Sequence, residues 1–278
     1  MLNKKRYRIC VITPEGYLHS ACFIETALLL KHSFESLNFD CDITINNPSI
    51  EKINVILGGN NLTTQIFSSE FPYIYFQLEQ LSDDEGWYSE KMLNLLSNAY
   101  DVWDYSKANI EFLKTRGINA KLLPLGYHSA LEIIPLQHKK DIDILFYGSI
   151  NQRRLDIINE LSKNPDFECQ AVYGVYGAQL YNLIARSKLI LNIHFYNKSI
   201  FEAVRISFLL NNQCFVISET SPVYPYQNVE LPLITYDKII DTCYYYLKQP
   251  DEIIHNGNLY YKQFKQFYPM EKLLAQVI

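Results

Sequence analysis

Short apolar runs of strand length alternate with longer, polar-faced segments along most of this chain. In the first half, Tyr7 to Thr13, Asp40 to Ile45, Asn54 to Gly58, Tyr73 to Leu78, Val102 to Tyr105 and Lys121 to Leu123 read as strands. An apolar helix over Ala21 to Phe34 and another from about Glu90 to Ser97 lie between them. The alternation resumes with strands at Ile142 to Tyr147, Glu168 to Val172, Ser187 to Ile193 and Phe215 to Ile217, and helices at Arg153 to Ser162, Ala178 to Arg186 and Ile200 to Leu210. Continuous apolar strands that alternate with helices predict parallel sheets covered on both faces, an α/β architecture. Ile134-Pro-Leu-Gln-His-Lys-Lys140 breaks the pattern and reads as a hinge between two α/β halves. From about Glu252 to Ile278 the chain reads as helical with a break at Pro269, and there is no internal repeat or low-complexity segment.

The run Ser187 to Glu219 is the most informative stretch. An apolar strand ends at the polar cluster Asn192, His194, Asn197, Lys198 and Ser199; a helix carrying Glu202 and Arg205 follows; the next strand ends in Ser218 and Glu219. Ligands of open α/β sheets sit beyond the carboxyl ends of the strands, and here two successive strands deliver polar residues to that edge. Glu202 and Arg205, three positions apart, can point the same way on a helix.

Composition narrows the classes. A chain of 278 residues, 48% hydrophobic, can build two cores, at roughly 100 to 150 residues each. The basic N-terminus runs straight into a strand-length segment with no cleavage-site pattern, and no apolar run approaches the ~18 to 20 residues that span a bilayer. A cytoplasmic location is the default expectation, with peripheral contact at the inner face of a membrane left open. The cysteines Cys10, Cys22, Cys41, Cys169, Cys214 and Cys243 are scattered, without metal-ligand spacing, and read as reduced thiols with no zinc site. The formal charge of −5, with basic residues spread along the chain, argues against an electrostatic grip on nucleic acid.

Four segments in order along the chain carry a resemblance. SKLILNIHFYNKSIFEAVRISFLLNNQCFVISE (187–219) resembles the donor-binding half of the GT-B glycosyltransferases, in the branch of family 1 and spore-coat-like enzymes; DIDILFYGSINQRR (141–154) resembles the first strand and glycine loop of that donor domain. DVWDYSKAN (101–109) and LPLGYH (123–128) resemble the end of the family's first domain. The resemblance implies two Rossmann-like domains with parallel sheets: an acceptor-side domain over 1–136, a nucleotide-sugar domain over 137–262, and a C-terminal helix, 263–278, crossing back to the first domain. It implies transfer of a sugar from a nucleotide-diphosphate sugar to an acceptor hydroxyl with no cofactor; the lack of a well-placed acidic pair, set out below, adds the expectation that no metal takes part. A surface glycan or lipid-linked glycan is the acceptor the branch most often uses; a protein or a modified DNA base stays open.

Individual residues carry two readings each. Gly148 and Ser149, between a strand and a helix bearing Arg153 and Arg154, can present backbone N–H groups, a hydroxyl and guanidinium charge to a diphosphate, or form an ordinary turn with solvated arginines. Neither GxGxxG nor a Walker loop is present. Tyr173, before Gly174, can border a nucleobase. Asn192 and His194 can bond a phosphate or sugar hydroxyl; Glu202 can accept ribose hydroxyls; Arg205 can offset the charge of the leaving diphosphate, or merely pair with Glu202. Glu219 belongs in the donor cleft on the family pattern and would otherwise be a solvated strand end. In the first half, Gly16, Tyr17 and His19 follow the first strand, and His19 can act as general base on an acceptor hydroxyl. Glu79 follows the strand YIYFQL on the same side, Tyr127 is expected to line the interdomain cleft, and Asp104 or Ser106 to cap the helix that begins at Lys107.

Two departures from related patterns matter. The paired glutamates of many retaining GT-B enzymes fall on Ser199 and Ser207, so stereochemistry is not assigned. The metal-binding DxD of the GT-A fold is matched only by Asp141-Ile-Asp143, at the wrong end of its strand, and the acidic Asp83-Asp84-Glu85 before Trp87 reads as an exposed loop. Two other readings remain at this stage: a non-catalytic GT-B-like partner that binds a nucleotide sugar or glycan, and a sugar-nucleotide epimerase.

Overall fold

A computed structural model describes residues 5–61, 71–82, 88–135, 137, 139–197 and 199–278. Asp83, Asp84, Glu85, Trp87, Leu136, His138 and Lys198, all considered above, lie outside the described residues. The chain forms two compact units, Met1–Ala130 with Tyr268–Ile278, and Leu131–Phe267.

The first unit contains β1 (Arg6–Val11), α1 (Ile24–Ser36), β2 (Asp40–Ile45), β3 (Ile53–Leu57), β4 (Tyr73–Gln77), α2 (Glu90–Ser97), β5 (Asp101–Asp104), α3 (Lys107–Lys114) and β6 (Lys121–Leu122). Its strands pair in the order β2-β1-β3-β4-β5-β6, every neighbour parallel. Ile9, Val55, Ile56, Ile74 and Trp103 are wholly buried or nearly so, as strands covered on both faces require. The expected first helix is shorter than its apolar run suggests, because Leu18–Phe23 winds as a 3₁₀ turn before α1 starts. Phe34 of α1 stacks on Tyr7 with centroids 4.1 Å apart, and the helix ends where Asn38 takes a left-handed φ of 62°, a conformation Asn tolerates better than most residues.

The second unit contains β7 (Ile142–Tyr147), α4 (Gln152–Leu161), β8 (Cys169–Val172), α5 (Gly177–Arg186), β9 (Ser187–Asn192), α6 (Ala203–Asn211), β10 (Val216–Glu219), β11 (Leu233–Ile234), α7 (Ile239–Leu247) and α8 (Pro250–Phe267). Its sheet is also all parallel, in the order β11-β10-β9-β7-β8. In each unit the chain starts on an inner strand, adds the second strand on one side and the third on the other. That reversal of direction opens a crevice between the first and third strands at their carboxyl ends. In the second unit the crevice lies between β7 and β9.

A last helix, α9 (Met270–Leu274), belongs to the first unit and packs on α1. The Tyr127 N–H donates to the Tyr268 carbonyl at 2.7 Å and the Met270 N–H to the Tyr127 carbonyl at 2.8 Å. Gly126 is required there, since a Cβ would run into the Tyr268 carbonyl oxygen. Tyr127 is buried, and its backbone anchors the tail. Among the described residues no helix is long and apolar enough to cross a membrane.

Candidate functional site

The crevice of the second unit collects three arginines, two glutamates and a histidine. Gly148 ends β7 with φ 139°, a conformation that L side chains rarely adopt, and a Cβ there would sit 2.6 Å from Nη2 of Arg205. Glycine thus lets the guanidinium of α6 lie directly against the end of β7. Arg205 Nη1 donates to Asn192 Oδ1 at 2.6 Å, its guanidinium lies 5.1 Å from the Tyr147 ring centroid, and Asn192 in turn donates to Ser218 Oγ at 3.0 Å. Asn192 is fully buried and works as a positioning group for Arg205.

Arg153 and Arg154 are neighbours with different surroundings. Arg153 makes a two-pronged pair with Glu219, bonds the His194 carbonyl at 3.0 Å, and lies over the Tyr236 ring at 4.1 Å. Arg154 turns inward, donating to the Ile193 carbonyl through Nε at 2.9 Å and Nη2 at 2.6 Å, to the Ser149 carbonyl at 2.7 Å, and to Glu202 Oε1 at 3.0 Å. It is 3% exposed, so the solvated reading of this arginine is wrong. Burial lowers the Arg154 pKa to about 10 against the pull of Glu202, which leaves it charged at neutral pH. Most donors of both residues are taken by protein acceptors, including Arg153 Nε by Asn197 Oδ1 at 3.2 Å, so Arg153 offers less to a diphosphate than its place in the glycine loop suggests. Asn151 caps α4 by accepting the Arg154 N–H at 3.1 Å, so that helix end is also partly satisfied from within.

Glu219 is buried as well, not a solvated strand end, and its Oε2 accepts the backbone N–H of His194 at 3.0 Å. Glu202 precedes α6, which begins at Ala203 rather than at Ile200. Its Oε2 lies 3.7 Å from both His194 Nδ1 and Arg205 Nη1. Burial pushes the Glu202 carboxyl up, but His194, Arg205 and Arg154 outweigh it and hold the pKa at about 2. His194 is 2% exposed, with Nε2 at 3.1 Å from the Thr220 carbonyl and 3.0 Å from Ser221 Oγ. A carbonyl on one ring nitrogen and a carboxylate facing the other ask both to carry protons. Burial lowers the histidine's pKa; Glu202, Glu219 and the Thr220 carbonyl override it and raise the net value. Ser221 can then only accept from Nε2, and the Ser-His-Glu order does not make a nucleophile.

Three guanidinium cations against two carboxylates leave the cluster at +1, and a protonated His194 takes it to +2. Among the described residues Arg205 is the cluster's cation with donors to spare: its hydrogen bond there is to Asn192. Glu202 Oε2 and His194 Nδ1, both out of water, lack a hydrogen-bond partner. The arrangement is anion-receptive, since a ligand carrying about two negative charges would neutralise it and use the Arg205 fork bidentately.

No family model matches the chain. A relative by sequence is the uncharacterized protein L140 of Acanthamoeba polyphaga mimivirus, 26% identical over 205 residues, covering 70% of this chain and 65% of that protein's length. Among solved structures, a mutant of S. aureus TarM in complex with Fondaparinux, alpha-GlcNAc-glycerol and UDP superposes with a TM-score of 0.57 at 12% identity, over 94% of this chain and 58% of that one. An alpha1,3-fucosyltransferase superposes with a TM-score of 0.54 at 12% identity, over 98% of this chain and 89% of that one. The fold is GT-B. At such identities the likeness establishes architecture, and residue roles rest on this chain's own geometry.

Within the GT-B frame the remaining expected residues are dispersed. Tyr173 follows β8, the outer strand of its sheet, and is 55% exposed. Ser149 contributes its carbonyl to Arg154. In the first unit, Gly16 has φ 74° in a turn closed by the Tyr17 N–H on the Pro14 carbonyl at 3.0 Å, and the Tyr17 and His19 rings meet edge-on at 5.2 Å. Glu79 is half-buried beyond β4, and burial raises its pKa to about 7. Asp104 does not cap α3; its Oδ1 accepts the Ser106 N–H at 2.7 Å and the Asn109 Nδ2 at 3.1 Å, while Ser106 sits at the cap without a side-chain bond. Ser199 and Ser207, at the places of the glutamate pair, bond the nearby carbonyls of Tyr196 and Val204. Sequence reasoning named Arg154 only as a companion of Arg153 in the glycine loop and missed Tyr147, Thr220, Ser221 and Tyr236, none of which left a signal. Among the described residues no group of three His, Cys, Asp or Glu side chains is placed to hold a metal ion.

Proposed function

We propose that this chain is a glycosyltransferase that binds a nucleotide-diphosphate sugar in the second unit and moves the sugar to an acceptor hydroxyl bound by the first. The observation that carries the reading is the guanidinium of Arg205, held through Nη1 by Asn192 with further donors available, seated at the switch point of a parallel sheet inside a cluster of net positive charge. The fold likeness to TarM, crystallised with UDP, and to a fucosyltransferase supports it.

As the bond from the anomeric carbon to the diphosphate breaks, negative charge accumulates on the leaving phosphate. Arg205 is placed to offset that charge without reorganising, and His194, held charged by Glu202, adds to the field. The nucleophile is the acceptor hydroxyl; its proton passes to a base on the first unit, for which His19 and Glu79 are the candidates. The leaving group departs as the nucleoside diphosphate. Metal independence fits the site, because Glu219 and Glu202 are already paired with arginines and a positive cluster repels a divalent cation. Gly148, Asn192 and Tyr147 hold Arg205 in place, and Tyr173 can border the base.

The test is a thermal-shift and calorimetric screen of UDP, GDP, dTDP, CMP and their sugars, with EDTA present. One nucleotide should stabilise the wild type with EDTA and fail to do so in Arg205→Ala. If no nucleotide binds, the donor site is disproved. If one binds tightly but no sugar is ever transferred or hydrolysed, the binding-partner reading takes its place.

A further inference from the structure

The chain leaves the first unit after Ala130 and returns to it at Tyr268, and both crossings are fastened beside a group of titratable side chains that the donor chemistry does not use. His128 follows Tyr127, whose backbone is bonded to Tyr268 and Met270 of the tail, and it precedes the 3₁₀ turn Ser129–Leu131. Gly126 adds to the tail's hold by donating its N–H to Met270 Sδ at 3.2 Å. The His128 ring stacks on that of His32 in α1 with centroids 5.8 Å apart, and α9 of the tail packs on the same helix. His32 Nδ1 lies 3.1 Å from Glu35 Oε2, and Glu35 also accepts from Lys31 at 2.5 Å.

The two ring nitrogens of His128 have different tasks. Nδ1 accepts the Ala130 N–H at 3.1 Å, and Nε2 lies 3.0 Å from Ser36 Oγ at the end of α1. A ring that accepts at Nδ1 and still bonds through Nε2 carries its one proton on Nε2 and is neutral, so the bond to Ser36 is a donation. The imidazolium cannot replace it. With a proton on each nitrogen, Nδ1–H would point at the Ala130 N–H, and turning the ring over only presents another donor. The charged groups that act on the ring come from two elements: Glu271 of α9, and His32 and Glu35 of α1. Burial lowers the His128 pKa, Glu271 pulls it up, His32 pushes it down and Glu35 pulls it up; the net value lies below the ordinary 6.5.

We propose that His128 is an acid-sensitive latch: while its ring is neutral it fastens residues 126–130 and the C-terminal tail to α1, and when Nδ1 takes a proton from water it releases them. The proton occupies the lone pair that accepted the Ala130 N–H, so the turn loses its cap, the ring withdraws from Ser36 and His32, and the Tyr127 bridge to the tail loses its support on α1. The folded pKa is depressed, so this contribution is fully present above the unfolded value and is lost as pH falls through the folded one. Both crossings of the chain are held at this place, and acid therefore loosens together the two points where the first unit is joined to the rest of the chain. The inference draws on the first unit alone and stands apart from the transferase reading.

The experiment is hydrogen exchange of the full chain at about pH 7.5 and about pH 5, read by mass spectrometry with exchange times scaled for intrinsic rates. Peptides covering 126–131 and 268–278 should exchange at least about tenfold faster at the lower pH, while peptides from β1 and β3 do not change. His128→Asn keeps a side-chain oxygen within reach of the N–H two residues on, as in an Asx turn, and cannot take up the proton, so both peptides should stay protected at both pH values. Equal protection of the wild type at the two pH values, or a His128→Asn chain that opens at about pH 5 as the wild type does, would overturn the proposal. A measurement on the wild type alone keeps the question open to refutation should the variant not fold: the ring protons of His128 are titrated by NMR, and the midpoint should coincide with that of the exchange transition. Midpoints about one pH unit or more apart would assign the opening to another group and sink the latch.

Discussion

His194 and Glu202 face one another at 3.7 Å between Nδ1 and Oε2, while the opposite nitrogen of the same ring lies 3.1 Å from the Thr220 carbonyl. Acceptors on both sides make the imidazolium the stable form. The histidine's pKa in the folded chain is raised above its usual 6.5, so its contribution to stability is fully present below that value and is lost as pH rises through the folded pKa. Nucleoside diphosphate affinity should fall over the same alkaline window as the cluster drops from +2 to +1. His194→Gln should flatten that part of the profile, measured by calorimetry across pH; a wild-type affinity that holds steady from pH 6 to 9 would count against a charged His194.

Arg205 serves both the ligand and the fold. Among the described residues it donates to Asn192 and lies 3.7 Å from Glu202 Oε2, so Arg205→Ala strands the buried Asn192 Oδ1 and should cost about 1 to 3 kcal/mol in urea unfolding as well as about 2 to 3 kcal/mol of nucleotide affinity. Arg205→Lys should recover little, since an ammonium cannot reproduce a planar two-pronged contact.

Glu219 matters first for the fold. Truncation to alanine strands the Arg153 guanidinium and removes the acceptor of the His194 N–H, at an expected cost of about 3 to 5 kcal/mol in urea unfolding. The double variant Arg153→Met, Glu219→Leu should regain most of that loss, because two apolar groups of similar shape leave no charge unpaired. A double variant no better than Glu219→Ala would show that the pair does more than satisfy itself.

Gly148 and Gly117 separate backbone strain from crowding. Both have positive φ, but a Cβ at Gly117 meets nothing within 4 Å, whereas at Gly148 it displaces Arg205. Gly117→Ala should cost about 1 to 2 kcal/mol of stability and leave nucleotide binding alone. Gly148→Ala should cost about 1 to 3 kcal/mol and lower affinity at least tenfold, read by denaturation and calorimetry on the same preparations.

Glu79 gives a pH signature opposite to that of an ordinary paired carboxylate. Burial raises its pKa from 4.5 to about 7, so between those values the folded chain holds a proton that the unfolded chain releases. Stability from this group is therefore present at low pH and declines as pH rises through the interval, by up to about 3 kcal/mol. Glu79→Gln should remove that slope in urea unfolding at pH 5 and pH 8. If Glu79 rather than His19 is the base, transfer should rise with pH through about 7 and collapse in Glu79→Gln, while His19→Ala retains it.

The alternation of apolar runs was enough to read both sheets as parallel, because a strand buried on both faces needs hydrophobic residues at successive positions. The elements it overlooked are those without a periodic signature. β11 is two residues long beside Pro232, and α7, with the sequence IIDTCYYYL, offers no polar face to set against its apolar one. α6 starts later than its apolar spacing suggests, since Glu202 takes a non-helical ψ of 63° where its carboxylate serves Arg154 and His194.

By itself the sequence determined the two α/β halves, the strand ends that carry polar residues, and the set of charged groups near the second crevice, all of which follow from local periodicity and spacing. Which charges remain available to a ligand was decided by tertiary structure alone. Arg153 and Arg154 are adjacent in the chain and look alike, but their acceptors are Glu219, 66 residues away, and the Ile193 carbonyl, 39 residues away. Asp104 looked like a helix cap and became a buried acid because β4 covers it and Asn109 and the Ser106 N–H bond its Oδ1. A hydrogen bond or ion pair depends on distances that only the folded chain fixes, so the sequence could name the groups but not their partners.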